Sequence, residues 1–216
     1  LEQLEVNGLS FCYPGTENGI EDVDLTLKRG SFTVVTGKIG SGKTTLLRSI
    51  LRLVPPDSGT VRWNGEAVVE PDDFFVPPRS AYTPQVPKLF SMTLRENLLL
   101  GRDETDADLA EAIRSAALDR DVEQMHDGLE TLVGPLGMRL SGGQVQRTAA
   151  ARMFAREPEL LVFDDLSSAL DVDTEKTLWE RLFEEHAEST ALVVSHRRPA
   201  LQRADQIFVL SRGRVF

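Results

Sequence analysis

The chain has 216 residues, 34 of them acidic against 24 basic, and a formal net charge of −10. That balance argues against a sequence-independent grip on nucleic acid, so a phosphate ligand has to be held by a local concentration of donors. Hydrophobic residues make up 41%, enough at this length for a substantial core, yet no apolar run approaches the ~20 residues of a membrane-spanning helix, and the opening residues are not expected to act as a secretory leader.

Residues 4–11, 22–28 and 60–69 read as short strands set apart by the turn signals Tyr13-Pro-Gly, Lys28-Arg-Gly and Asn64-Gly, which predicts an antiparallel layer. Leu9, Phe11 and Tyr13 share one face by period two. Tyr13 belongs either to the core or flat under a purine base, and spacing alone leaves both open. The single cysteine, Cys12, is expected to fill a strand as a small residue, and one lone thiol suits a reducing compartment. Leu1 stands where an initiator Met would, so the chain is expected to be a piece of a longer one.

Ser31-Phe-Thr-Val-Val-Thr36 is β-branched and apolar, a strand buried on both faces. Gly37-Lys-Ile-Gly-Ser-Gly-Lys-Thr44 follows, and Thr45-Leu-Leu-Arg-Ser-Ile-Leu then takes helical apolar spacing. Strand, glycine loop and helix are the setting of a phosphate-binding loop. Glycines at 37, 40 and 42 let backbone N–H groups converge on a phosphate, and the helix start adds orphan donors and partial positive charge. Lys43 supplies a full charge to the β- and γ-phosphates, and the Thr44 hydroxyl is placed for Mg²⁺.

Ser80-Ala-Tyr-Thr-Pro84 is a further strand, with Gln85 just past its end. From Thr93 to about Met125 the pattern is helical, with Thr105-x-x-Asp108 as a cap and Leu109, Ile113 and Ala116/Ala117 as an apolar stripe. Leu140-Ser-Gly-Gly-Gln144 opens a helix expected over Val145 to Ala155. Ser141 and Gln144 satisfy the capping-box rule. Gly142 and Gly143 are not explained by it, since each costs roughly 1 kcal/mol in a helix relative to Ala; something must approach that backbone closely, and the helix start is a second candidate anion site.

Leu160-Leu-Val-Phe163 is an all-apolar run ending in Asp164 and Asp165, the mark of a central parallel strand with carboxylates beyond its C-terminal edge. Because successive strand residues face opposite ways, the two acids are expected to have different tasks. A helix from Thr174 to about His186, with Leu178, Leu182 and Phe183 inward, leads to strand Ala191–Val194 and then Ser195 and His196. His126 and His186 read as surface residues. Gln206–Leu210, a turn at Arg212-Gly213 and Val215-Phe216 close the chain.

The order and spacing of the phosphate loop, Gln85, Leu-Ser-Gly-Gly-Gln, the apolar strand ending in Asp and the strand-end His resemble the ATP-binding-cassette (ABC) family over essentially all 216 residues. The resemblance implies an α/β fold. It comprises a P-loop NTPase core with a mostly parallel sheet, an antiparallel β subdomain and a helical signature subdomain, all in one nucleotide-binding domain. Residues 1–85 and 150–216 would form the ATP-binding core and about 88–149 the helical part. It implies that Tyr13 stacks on adenine, and that the phosphates are held by the loop residues Gly37, Lys38, Ile39, Gly40, Ser41 and Gly42 and by Lys43, Thr44 and Thr45. Thr44, Gln85 and Asp164 would serve Mg²⁺. Ser141, Gly142 and Gly143, with Gln144, would reach the γ-phosphate held by a second such domain, while His196 contacts its own. Ser168-Ala-Leu-Asp171 resembles the loop that crosses the dimer interface.

The departure is Asp165, where the family normally has a Glu that polarises the attacking water. Asp is one methylene shorter, which predicts slow hydrolysis at this chain's own site. Pro84-Gln-Val-Pro-Lys-Leu-Phe90 and Thr93-Leu-Arg-Glu-Asn97 are similar to the exporter pattern, and Thr131-Leu-Val-Gly-Pro-Leu-Gly137 matches it in part, without its usual acidic residues. The implied partners are a second ABC domain, identical or different, and a transmembrane domain on the full-length chain or another subunit, at the cytoplasmic face of the cell membrane. The alternatives are a soluble ABC ATPase acting on chromosomes, DNA repair or ribosomes, or a regulatory ATP-binding half of a heterodimer. Against the first, no room exists between Gln85 and Ser141 for a long coiled coil.

Overall fold

A computed structural model describes residues 1–69, 73–103, 105–134, 139–186 and 188–216. In chain order they form β1 (Gln3–Cys12), β2 (Gly19–Lys28), β3 (Phe32–Thr36), α1 (Lys43–Ile50), β4 (Ser58–Trp63), β5 (Glu66–Ala67) and β6 (Ser80–Thr83). Next come α2 (Leu94–Leu99), α3 (Asp106–Ser115), α4 (Asp119–Gln124), α5 (Gly142–Phe154), β7 (Leu160–Asp164) and α6 (Val172–Glu185). The chain ends in β8 (Thr190–Val194), α7 (Arg198–Arg203), β9 (Gln206–Ser211) and β10 (Arg214–Val215). It divides into two compact units, Leu1–Ala81 with Glu159–Asp164 and Glu188–Phe216, and Tyr82–Pro158 with Asp165–Ala187.

In the first unit, β2-β1-β4-β5 pair antiparallel, the expected layer. Leu4 and Val6 of β1 point inward, but the register shifts between Val6 and Leu9, and beyond it the inward set is Leu9 and Phe11. A bulge adds a residue and so exchanges even for odd numbers on the buried face. Cys12 falls on the outward parity. It is exposed, with its Sγ 3.1 Å from the Thr16 carbonyl, rather than filling the strand.

The second sheet of this unit has the order β10-β9-β3-β8-β7-β6, of which Ser80 and Ala81 of β6 belong here. β3 pairs parallel with β8 and β9, and β7 with β8, while β10 turns back antiparallel. Phe32–Val35, Leu160–Asp164 and Thr190–Val194 are buried throughout, as interior parallel strands covered on both faces require. α1 packs on β1, β2 and β7 through Leu46, Leu47 and Ile50, all 0% exposed. The α/β class, with its mostly parallel sheet and separate antiparallel layer, is as the sequence predicts.

In the second unit, α5 packs on α2 and α3, and α3 on α6. The expected cap at Thr105 forms with Asp108, and matching capping boxes start α2 (Thr93 with Glu96) and α5 (Ser141 with Gln144). α5 begins at Gly142 and α6 at Val172, each earlier than the apolar pattern suggests, because the capping side chain sets the boundary. α6 buries Leu178 and Leu182 as expected, but its large buried ring is Trp179, and Phe183 is only half-buried. His126 is exposed. His186 is half-buried and not the fully exposed residue the sequence suggests: its ring stacks on Phe154 at 4.8 Å and 14°. Burial there holds its imidazole below the ordinary value, against the opposing charges of Glu185, Glu111 and Glu157.

Candidate functional site

The glycine loop leaves the C-terminal end of β3, between β8 and β9. Gly42, at φ 102°, is the N-cap of α1; no side chain caps that helix, and its first turn holds no acid. The other long helices, α3, α5 and α6, each have a capping side chain. α1 therefore presents orphan N–H groups and its positive dipole end, the arrangement that takes a phosphate. Gly37 has φ 146°, and a Cβ built on it would lie 2.1 Å from the Leu210 carbonyl oxygen, so that position admits no side chain. Gly40 has open space around it.

Lys38, Ile39 and Gly40 are exposed, Ser41 and Thr45 buried. Ser41 Oγ is buried without a hydrogen-bond partner among the described residues, a polar group that an incoming ligand can satisfy. Lys43 Nζ donates to the carbonyls of Gly37 and Lys38, both at 2.9 Å, so its charge lies over the loop. An open cavity of about 520 Å³ adjoins Gly40, walled in part by Phe11, Ile20 and Arg212.

Thr44 Oγ1 donates to Asp164 Oδ1 at 3.1 Å. Asp164 ends β7 and is 2% exposed. A hydroxyl and a carboxylate side by side are hard oxygen donors of the kind a small divalent cation takes. Among the described residues no group of three or more His, Cys, Asp or Glu gathers into a metal cage.

Asp165 has left the strand. It takes the left-handed conformation, φ 56° and ψ 42°, at the head of a 3₁₀ turn over Leu166–Ala169. The two acids thus diverge through this turn and not, as the sequence suggests, through the alternation of one strand. Asp tolerates that conformation better than most side chains. In the second unit, Gln85 Nε2 donates to Asp165 Oδ2 at 3.3 Å, so these two predicted site residues meet.

Ser141 and Gly142 are exposed at the start of α5. The Gln144 carboxamide is turned back: Oε1 accepts from Ser141 N–H, and Nε2 donates to Asp121. A Cβ at Gly143 would lie 3.1 Å from the Ala169 carbonyl oxygen and 3.3 Å from Leu170, whereas one at Gly142 would make ordinary contact with Ala169. The close approach inferred for Gly143 is therefore met by the chain's own turn. Gly142, whose N-terminal side is open, is not used up this way.

Gln146 was not foreseen. It is 4% exposed, and it bonds the Gln85 carbonyl, Ser168 Oγ and Ala169 N–H. Its signal lies in the helical spacing of Gln146, Ala149, Ala150, Met153 and Phe154, a buried stripe with one amide in it.

Tyr13 is half-buried beyond the end of β1, its ring edge-on to Phe11 at 4.9 Å and 84°. His196 is exposed just past β8, where Ser195 Oγ accepts from Arg197 N–H. In the Thr131–Gly137 segment, residues 135–137 lie outside the described residues. Thr93 bridges to Leu132, and Val133 N–H donates to the Met92 carbonyl.

A family model described as ABC transporter matches residues 20–168. The chain is 37% identical over 95% of its length to the probable multidrug resistance ABC transporter ATP-binding/permease protein YheI of Bacillus subtilis, covering 35% of that protein. It is also 37% identical over 98% of its length to an ATP-dependent lipid A-core flippase of Burkholderia thailandensis, covering 36% of it. A solved bacterial Atm1-family ABC exporter with ATP bound superposes with a TM-score of 0.92 at 28% identity, over 99% of this chain and 38% of the other. The chain thus spans about a third of the length of these three proteins. The family model over residues 20–168 and these relatives show that the chain belongs to the ABC transporter family.

Proposed function

We propose that this domain binds Mg-ATP on Gly37–Thr44 and pairs head to tail with a second such domain, identical or different, to drive a membrane-embedded portion of an exporter. The observation that carries the reading is the uncapped, acid-free start of α1 beneath a loop whose Lys43 is folded over it. Amides from Gly37, Lys38, Ile39, Gly40, Ser41 and Gly42 through Thr45 cradle the phosphates. Adenine sits by Tyr13. Mg²⁺, when bound, is held by Thr44 and Asp164 with Gln85, and neutralises charge on the phosphates. His196 touches the γ-phosphate, and Asp165 polarises the attacking water from a shorter arm than Glu would give, which makes hydrolysis slow.

Ser141, Gly142 and Gly143, aided by Gln144, meet the nucleotide held by the partner. The exposure of Ser141 and Gly142 supports this, since their capping is already complete. Residues 1–85 with 150–216 act as the ATP-binding core and about 88–149 as the helical part. Among the described residues no helix is long and apolar enough to cross a membrane. The chain covers 35% of a relative named as both ATP-binding and permease, and the membrane portion accordingly lies on the rest of the full-length chain or on another subunit. The domain works at the cytoplasmic face.

Lys43→Ala abolishes ATP binding, because it removes the charge over the loop. Ser141→Arg leaves the ATP Kd within about threefold and costs about 1 kcal/mol of capping, but eliminates ATP-dependent pairing of the domains and turnover. Calorimetric titration with a non-hydrolysable ATP analogue, followed by sizing of the complex, separates the two; equal loss of nucleotide affinity in both would overturn the assignment.

A further inference from the structure

We infer that Gln146 is a positioning residue, tying the helix that begins at Ser141 to both Gln85 and the turn that carries Asp165. It is the one carboxamide among the buried residues of α5, and burying a carboxamide is costly unless its hydrogen bonds are made. They are made to two separate segments. Nε2 donates to Ser168 Oγ at 2.8 Å and reaches the Gln85 main-chain oxygen at 3.5 Å, while Oε1 accepts from Ala169 N–H at 3.1 Å.

The loop of contacts closes on Asp165. Ser168 N–H donates to the Asp165 carbonyl at 3.1 Å, and the Gln85 side chain donates to the Asp165 carboxylate. Because Asp165 is left-handed at the head of this turn, the direction of its carboxylate follows from how the turn is held. Gln146 holds the turn three and four residues downstream, and the Gln85 backbone from the other side. A shift of the Ser141–Gly143 tip on meeting a partner's nucleotide is then passed through α5 to Asp165 and Gln85 as one packed network. The inference rests on the reading that Asp165 acts on the attacking water.

The test uses the full-length protein. Gln146→Met keeps the length and removes both polar atoms. Gln146→Glu keeps the length and the acceptor for Ala169 N–H but removes the donor to Ser168 Oγ and the Gln85 carbonyl. Gln146→Met should lower kcat by roughly tenfold or more, as expected for a catalytic group displaced by a fraction of an ångström, with the ATP Kd within about twofold. Amide exchange at Ala169 should quicken. Gln146→Glu should recover part of the turnover through the Ala169 bond, and Gln146→Met should add nothing in an Asp165→Asn background.

An unchanged kcat in Gln146→Met, a matching loss of ATP affinity, no recovery by Glu, or full additivity with Asp165→Asn each overturns the proposal. If Gln146→Met does not fold, Gln146→Asn, which withdraws both polar groups by one methylene, is held to the same outcomes. Asp165→Asn alone reports on the acid itself. Wild-type turnover in that variant sinks the role given to Asp165, whereas an impaired Asp165→Asn beside a wild-type Gln146→Met sinks only the linkage.

Discussion

Replacing Asp165 with Glu sets two effects of the same residue against each other. The position is left-handed, φ 56° and ψ 42°, a conformation Asp and Asn accept and Glu resists by roughly 1 kcal/mol. For a domain of this size that loss lowers Tm by about 2–4 °C. The extra methylene meanwhile advances the carboxylate by about 1.5 Å. Its present bond to Gln85 Nε2, 3.3 Å, is at the long end for a charged acceptor, so the acid is not drawn tightly to its neighbour. Since ~1 Å of misplacement costs on the order of 10²-fold, Asp165→Glu is expected to raise kcat between roughly 10- and 100-fold with ATP affinity unchanged. Phosphate release at saturating ATP, beside a thermal melt, measures both. Asp165→Asn suits the backbone as well as Asp does, so its loss of turnover is chemical. Failure of Glu to accelerate, or an Asn variant as active as the parent, refutes the reasoning.

Gly37→Ala forces a Cβ to 2.1 Å from the Leu210 carbonyl and should destabilise the domain by more than about 2 kcal/mol. Gly40→Ala, with a positive φ but open space, should cost about 1 kcal/mol; equal urea midpoints for the two variants would show that the close approach is not real. Burial keeps folded His186 from taking its proton, so as pH falls the unfolded chain binds one first. The stability due to its neutral form is complete above the unfolded value near ~6.5 and is lost as pH falls from there toward the depressed folded value. His186→Phe should flatten the difference in melting temperature between about pH 7 and pH 5, and an undiminished difference would assign that slope elsewhere.

Much of the framework around the candidate site is legible in residue order because its signals are local. A glycine loop between an apolar strand and a helix, a Ser or Thr with an acid or amide three residues on, and an all-apolar strand ending in Asp each act within a few residues of themselves. They predict the glycine loop between strand and helix, the caps at Thr105 and Ser141, and the parallel strand ahead of Asp164, all of which the structure has. What they could not carry was whatever depends on segments meeting from afar. The bulge that turns Cys12 outward is fixed by pairing with β2 and β4. The burial of His186 needs Phe154, 32 positions earlier in the chain. The separation of Asp164 from Asp165 is a single backbone conformation, and Gln146 earns its place only where Gln85 and Ala169 converge on it. Residue types and their spacing decide which groups are available for phosphate chemistry. Only the packed chain decides which buried donor meets which acceptor, because that choice is made by desolvation and contact between residues that the sequence holds far apart.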